Sequence, residues 1–475
     1  TGLLHDAETG YHIRVGEYVL QHRSVPTRDF LSFTKLGEPF FAWEWLSGVA
    51  FALLGHWDGL RALIVVSALV LALSVLVMIR HLIWRGCNIL IALFLIHFAI
   101  GASSIHYLAR PHMFTLLFMA IALWILDLDR DAPGRAVWIL VPLTALWVNL
   151  HGGFVALVIS IGILAGGSAL EWLLCARDPA PGARAIRCSI LAGACLLASL
   201  LNPYGISEHL HIVQFLREPW YLKLTQEYQS PNFLSVPGAY FGALLAMGIA
   251  AAARLLFRRQ IGPALLILAW AYASCRSVRN IPIYAIVVLP WLGTEMAGLW
   301  HNWVKGKPRK SLAGLLDKIG ADYQPSAART GLFVPITAAI LLLLPLGIPY
   351  PTDFPSADYP VALVNRYYQK IGESRVFATD AWGDYLTYRY PAPHGIFIDG
   401  RTDFFGETFT KQYLDTMNGL PEWKRTFQRY RVDMALIPPD IALAGRLRAQ
   451  PDWRLLDQTK VAALFVRIPA SAPER

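Results

Sequence analysis

LRALIVVSALVLALSVLVMI, residues 60–79, decides the fold class. It carries one charge, Arg61, in twenty residues, and about 17–25 predominantly apolar residues are what a helix needs to cross a bilayer. Six further runs of this kind lie at 88–104, 112–128, 186–201, 238–257, 279–299 and 332–349, with three closer-coupled or shorter ones at 136–150, 154–174 and 261–275. Ten spans are expected. The composition agrees: 475 residues are 55% hydrophobic and 16% charged, with a mean hydropathy of +0.42, whereas soluble domains carry roughly 25% charged residues. The expected fold class is a polytopic α-helical membrane protein. A net charge of +9 would point to nucleic acid in a soluble chain, but in membrane proteins basic residues gather in cytoplasmic loops. No nucleic-acid partner is expected.

The charge distribution orients the spans. With the segment before residue 60 outside, the cytoplasmic connections hold sixteen Lys and Arg, against five outside (Arg110, Arg217, Lys223, Arg276, Arg279). That asymmetry puts the first loop and the C-terminal tail on the extracytoplasmic face. The chain begins at Thr1 in a polar loop; any span missing ahead of it would enter from the cytoplasm and end just before Asp6. Residues 42–57, AWEWLSGVAFALLGHW, have aromatics at both ends and are too short to cross. They read as a helix lying in the interface beneath the loop.

From Pro351 the composition is that of a soluble domain. Short apolar strands at 375–378, 395–398, 432–437 and 461–468 alternate with helical patterns at 357–371, 407–418 and 440–448, which predicts a small α/β domain. The organisation is therefore 1–58, a first extracytoplasmic loop with interfacial helix; 59–350, a transmembrane helical bundle; and 351–475, a soluble extracytoplasmic α/β domain. All five cysteines fall in or beside apolar segments, so no disulfide framework supports the tail.

Candidate chemistry gathers on one face. The first loop sets His5, Asp6, Glu8 and His12 close together, followed by a Pro26-to-Asp29 turn and Glu44. The outer span ends carry His106, Arg110 and His112, then Asn149 and His151, Asn202 and Tyr204, and Arg276, Arg279 and Asn280. Such residues at membrane depth are costly unless they pair or line a cavity, which makes a one-sided set a functional hypothesis. Each also has a structural reading: solvated loop acids for Asp6 and Glu8, satisfied interface histidines for His106, His112 and His151, lipid headgroup contacts for Arg276 and Arg279. Asp29 reads as a turn residue bonding the backbone, and Asp399, Gly400 and Arg401 in IFIDGRTDFF read as structural. Together, a carboxylate can take a proton from an incoming hydroxyl, and arginines can neutralise a phosphate leaving group.

The layout of a large first outer loop with an early Asp, an interfacial helix, about ten spans and an outer α/β tail resembles the GT-C membrane glycosyltransferases. These include the protein O-mannosyltransferases, the aminoarabinose transferase and the rhizobial lipopolysaccharide glycosyltransferases. The stretches DAETGYHIRVGEYVLQ, PTRDFLSFT, WVNLHGGF, LNPYG, RSVRNIP and IFIDGR resemble a bacterial branch of that superfamily. The resemblance implies transfer of a sugar from a polyprenyl-phosphate donor to an acceptor hydroxyl on a glycan, lipid or protein, at the outer face of a bacterial inner membrane and amid its lipids. It makes Asp6 the catalytic base; phosphate-binding arginines are placed differently among the relatives, so topology and not motif assigns the donor phosphate to Arg276 and Arg279, and the same one-sided placement leaves Glu8, His12, Glu44, His106, Arg110, Asn149 and His151 to shape the pocket. Glu8 departs from the adjacent Asp-Glu of the mannosyltransferases and from the Asp-x-Asp of metal-dependent relatives. No cofactor is implied with certainty, and a divalent metal finds no support in the first-loop motif. About eleven spans follow if one precedes Asp6. The competing expectations are a non-catalytic subunit or scaffold of the same fold that binds a lipid or a partner protein, and a transporter, which would want repeated halves and a polar path at the midplane.

Overall fold

The computed structural model describes residues 2–174, 179–217, 219–329, 331, 333–344, 350–391 and 395–468. Cys175, Arg177 and residues 345–349 of the last expected span lie outside the described residues. The segment before residue 45 is not all loop, for it contains a helix, α1 (Thr9–His22), which ends on Arg23 at φ 52°. The apolar part comprises α2 (Trp45–Trp84), α3 (Ile89–Ser103), α4 (His112–Asp131), α5 (Leu140–Leu150), α6 (Phe154–Leu174), α7 (Pro179–Ala198), the shorter α8 (Ile206–Arg217) and α9 (Pro219–Leu224), then α10 (Val236–Phe257), α11 (Ile261–Arg276), α12 (Ile281–Val304), α13 (Leu312–Arg329) and α14 (Phe333–Leu343).

Among the described residues seven helices are long and apolar enough to cross a membrane, and the stretches 135–150, 261–276 and 333–343 form shorter apolar helices. Among the described residues each of the ten expected runs therefore contains a helix. Their outer faces expose Leu93, Phe94, Ile159, Ile190, Leu197 and Phe257, a surface that suits lipid and not water. The few acids inside these helices are paired: Asp127 with His81 (2.8 Å), and Glu295 with Arg254 and Arg258 (2.5 and 2.6 Å). This is the make-up of a helical membrane protein.

Helix α2 breaks where the sequence reading separates an interfacial helix from a span. Asp58 leaves helical geometry and Gly59 takes φ 58°, ψ −145°, a left-handed conformation that glycine adopts without steric cost. The arm before the break has thirteen residues, about 20 Å at 1.5 Å per residue, short of the hydrocarbon core. Against this arm packs α1, and the two backbones meet at Gly16 and Gly48. A Cβ on Gly48 would lie 2.7 Å from the His12 carbonyl oxygen, and one on Gly16 would strike the Gly48 carbonyl.

The tail adds α15 (Val361–Arg366), α16 (Tyr368–Gly372), β1 (Val376–Ala378), α17 (Asp380–Arg389), α18 (Thr402–Met417), α19 (Trp423–Tyr430), β2 (Met434–Ile437), α20 (Ala442–Arg448), β3 (Trp453–Gln458) and β4 (Ala463–Arg467). The sheet order is β1-β2-β4-β3, with the first pair parallel and the others antiparallel. Side chains alternate between its faces. Val376, Ala378, Met434, Leu436 and Leu464 join the core continuous with the bundle, while Phe377, Ala435, Ile437, Ala463 and Phe465 pack on α18, α19 and α20. Residues 395–398, expected as a strand, stay outside this sheet and form one parallel bridge, Ile396 to Ser32. The expected strand at 461–468 is the second arm of a hairpin whose first arm is β3.

The tail grips the first segment. Arg14 donates to the Thr387 and Tyr388 carbonyls (2.8 and 2.6 Å). Asp29 closes its turn by accepting the Ser32 N–H (3.0 Å), and its Oδ1 receives Arg401 Nη1 at 2.8 Å. Arg401 also holds Asp399 (2.9 Å). The two motifs with structural readings, PTRD and IDGR, thus form one buried cluster, with all three side chains at most 4% exposed.

Candidate functional site

Beneath the tail lies a cavity of about 730 Å³. Its walls come from the start of the chain, from turns between the apolar helices, and from α17, α18 and the 398–403 segment of the tail. Asp6, Glu8, Glu44, His106, Arg110, His151 and Arg279 all line it.

Local bonds set this geometry. Ala109 N–H donates to the Leu3 carbonyl (2.9 Å) and Thr9 Oγ1 to the Ala109 carbonyl (2.8 Å), so the chain start is pinned beside the turn between α3 and α4. Asp6 Oδ1 accepts the Glu8 N–H (2.9 Å), which fixes its carboxyl, and Oδ2 receives Arg110 Nη1 (2.9 Å). Arg110 also pairs with Glu8 and with Glu227 (2.8 Å). Glu227 lies in a short turn tied to the start of α12, where Ser277 Oγ donates to the Glu227 carbonyl (2.8 Å). Its other oxygen faces Arg279 Nη1 at 3.5 Å, and Arg279 bonds the Tyr228 hydroxyl at 2.7 Å. An unbroken line of ion pairs therefore runs Asp6, Arg110, Glu227, Arg279.

A second group sits behind it. Glu44 lies between His12 Nε2 (3.3 Å) and His151 Nε2 (3.4 Å). Gly153 N–H donates to His151 Nδ1 (2.9 Å), so that nitrogen accepts and the ring proton sits on Nε2, facing Glu44. His106 Nε2 donates to the Val278 carbonyl (3.1 Å).

The electrostatics follow from burial and company. Burial raises Glu8 to about 8 against the pull of Arg110, and raises Glu44 to about 7 against Arg110 and Arg279. Burial also works to raise Glu227, but Arg110 and Arg279 outweigh it and hold that carboxyl at about 2. Burial drives His12 and His151 well below the usual histidine range. Burial disfavours the Arg110 cation, yet Glu8, Asp6 and Glu227 keep it firmly protonated.

Three expected residues lie elsewhere. His12 is buried behind Glu44 and does not reach the cavity. Asn149 accepts from Trp45 Nε1 (2.9 Å) and donates to the Ala145 and Leu201 carbonyls (2.8 and 2.9 Å), a structural tie. Arg276 is exposed at the end of α11 and is not part of the cavity wall. Among the described residues no group of three or more His, Cys, Asp or Glu could hold a metal ion.

Several lining residues were not anticipated: Glu227, and from the tail Asp380, Asp384, Asp403 and Thr410. Glu227 had a readable signal, an acid between outer span ends in TQEYQSPNF. Asp384 is 3% exposed; its Oδ2 accepts the Gly400 N–H (3.0 Å), and burial beside Asp399, Glu8 and Asp6 raises it well above the carboxylate range.

Adjoining the cavity is a second, mostly apolar groove of about 410 Å³, lined by Val155, Ile159, Ile163, Ile212, Leu216 and Ala269, with Arg279 and Asn280 shared with the cavity wall. The arrangement can hold an amphiphile whose polar head meets acids and arginines and whose apolar part lies between α6, α8 and α11. No protein-family model matches the chain, and no curated protein matches it.

Proposed function

We propose that this protein is a membrane glycosyltransferase that moves a sugar from a polyprenyl-phosphate donor to an acceptor hydroxyl at the outer face of a bacterial inner membrane, with about ten spans in this chain. One observation carries the reading: the polar cavity and the apolar groove adjoin, sharing Glu44, His151, Trp270, Arg279 and Asn280 in their walls. A substrate with a polar, charged head and a long apolar tail fits that shape, and a water-soluble metabolite does not need the groove.

In the proposed reaction the acceptor oxygen attacks the anomeric carbon, a new C–O bond forms, and the bond from that carbon to the phosphate oxygen breaks. Asp6, held by the Glu8 N–H and Arg110, takes the hydroxyl proton as general base. Arg279 faces the departing phosphate where cavity and groove meet and neutralises its charge. Arg110 orients Asp6 and Glu8; Arg276, being outside the wall, is given no part in phosphate binding.

The test is donor consumption. Purified protein in nanodiscs is incubated with a panel of undecaprenyl-phosphate sugars and an envelope extract, and release of undecaprenyl phosphate is followed. At least one donor should be consumed, and Asp6→Asn should cut the rate by 10² or more while the protein remains folded and abundant. Consumption of no donor, or an undiminished Asp6→Asn variant, would overturn the assignment.

A further inference from the structure

Three buried polar atoms in the cavity wall have no hydrogen-bond partner among the described residues; Arg401 Nη2 is still held 2.7 Å from Asp399 in an ion pair, which leaves Asp384 Oδ1 on α17 and Thr410 Oγ1 on α18. Their side chains belong to residues 3% and 5% exposed. Buried polar atoms in folded proteins are nearly always bonded, and the exceptions call for an explanation. Here both exceptions fall on the tail's side of one cavity, on different helices.

The chemistry of the pair narrows the ligand. The Thr410 hydroxyl both donates and accepts. Asp384 is buried beside Asp399, Glu8 and Asp6, which favours its protonated form, and a protonated carboxyl likewise donates and accepts. Partners of that kind suit hydroxyl groups. On the tail's side an anion would meet Asp380 and Asp403, while Arg401 is engaged by Asp29 and Asp399. A cation would meet acids already engaged, since Asp6 pairs with Arg110 (2.9 Å) and Asp403 with His211 (3.3 Å). Phe41, Trp43 and Tyr413 also line the cavity and offer aromatic faces for the C–H side of a sugar ring. Among the described residues none of the tail lines the apolar groove, so a donor anchored there approaches from the bundle side, opposite this wall.

We infer that the tail's wall around Asp384 and Thr410 is an acceptor subsite that binds a sugar ring through its hydroxyls, making the acceptor a carbohydrate. Its place in a transfer reaction rests on the function proposed above; binding of the ring does not.

The experiment is saturation-transfer NMR on the full chain in nanodiscs, with the methyl α- and β-glycosides of glucose, galactose, mannose, rhamnose and N-acetylglucosamine as probes. At least one glycoside should bind saturably. Asp384→Ala and Thr410→Val should each weaken it tenfold or more, and Asp384→Asn, which keeps a donor and an acceptor in place, should hold it within about threefold. Undecaprenyl phosphate should not displace the glycoside. Binding of no glycoside, unchanged binding by both Asp384→Ala and Thr410→Val, or displacement by undecaprenyl phosphate would overturn the inference. Failure of the lipid alone to bind would instead count against the lipid-linked donor and leave the sugar subsite standing.

Discussion

Replacing Arg401 with methionine tests how the tail is held over the cavity. Arg401 bonds Asp399 through Nε (2.9 Å) and Asp29 through Nη1 (2.8 Å), with Nη2 2.7 Å from Asp399 in the ion pair, and its guanidinium lies 4.7 Å from the Phe40 ring centroid and 4.9 Å from that of Phe404. Methionine keeps the apolar stem but leaves two buried carboxylates without a cation. Breaking a buried pair in this way costs about 3–5 kcal/mol. The reporters are close by: Phe33 N–H donates to the Ile396 carbonyl (3.0 Å) and Ile396 N–H to the Leu31 carbonyl (2.9 Å), so both amides are shielded only while the tail is docked. If docking governs their exchange, a loss of 3–5 kcal/mol speeds it by about two to four powers of ten. Hydrogen exchange by mass spectrometry on Arg401→Met reads this directly. The triple variant Asp29→Asn, Arg401→Met, Asp399→Asn removes the stranded charges and should recover at least half the loss in free energy. Exchange at Phe33 and Ile396 within tenfold of wild type in Arg401→Met would refute the reasoning.

Three other outcomes follow from the same physics. Glu227→Gln removes the carboxylate that now occupies Arg279 and Arg110, so undecaprenyl phosphate, measured by tryptophan quenching, should bind about tenfold more tightly, whereas Arg279→Ala should weaken it comparably; equal affinities in all three proteins would contradict this. Glu208 is 1% exposed with both carboxyl oxygens unpartnered among the described residues, and burial raises it to about 8. A carboxyl with a raised folded pKa stabilises the fold at low pH and loses that contribution as pH climbs from about 4.5 to 8, on the order of 3 kcal/mol by pH 7. Glu208→Met should therefore raise thermal stability in detergent at pH 7.5 and flatten its decline between pH 5 and 8; an unchanged pH profile would reject the linkage. Gly16→Val should cost 2 kcal/mol or more by driving α1 off α2, visible as a lower melting temperature and reduced monomer recovery, while Gly37→Ala, where nothing lies within 4 Å, should show at most the milder cost of a left-handed residue at φ 81°.

What the sequence disclosed depended on the range of the interaction. The apolar runs were legible because each helix carries its own signal, and the break at Asp58 and Gly59 because the run before it is too short to span. Helix α1 was not, because it is buried on two sides, by α2 and by α17, so Gly10, His12 and Gly16 interrupt any single apolar stripe. The edge strand β3 alternates weakly and exposes Arg454 and Leu455, leaving no period of two to read. Asn149 shows the limit of arguing from polarity at span ends, since a residue costly in the membrane was satisfied by one indole and two carbonyls. Arg276 and Arg279 show the same limit: one helical turn apart in sequence, one is exposed and the other lines the cavity.

The line from Asp6 to Arg279 makes a further physical point about how the site could work. Four charged groups in series, two acids alternating with two bases, cancel one another along this line, so the arginines do not present a standing positive field to any passing anion. A phosphate gains Arg279 only by displacing Glu227, and Glu227, held near 2 by Arg110 and Arg279, stays ionised and retains Arg110 as its partner. The exchange therefore trades one charge-assisted bond for another, and the surplus that selects the substrate has to come from the apolar groove. Discrimination would then rest on the tail of the lipid as much as on its head. Shortening the prenyl chain should weaken binding by the buried area lost, about 25 cal/mol per Å², with little change in its dependence on Arg279. A short water-soluble phosphate binding as tightly as the long-chain lipid would show instead that the arginines alone supply the affinity.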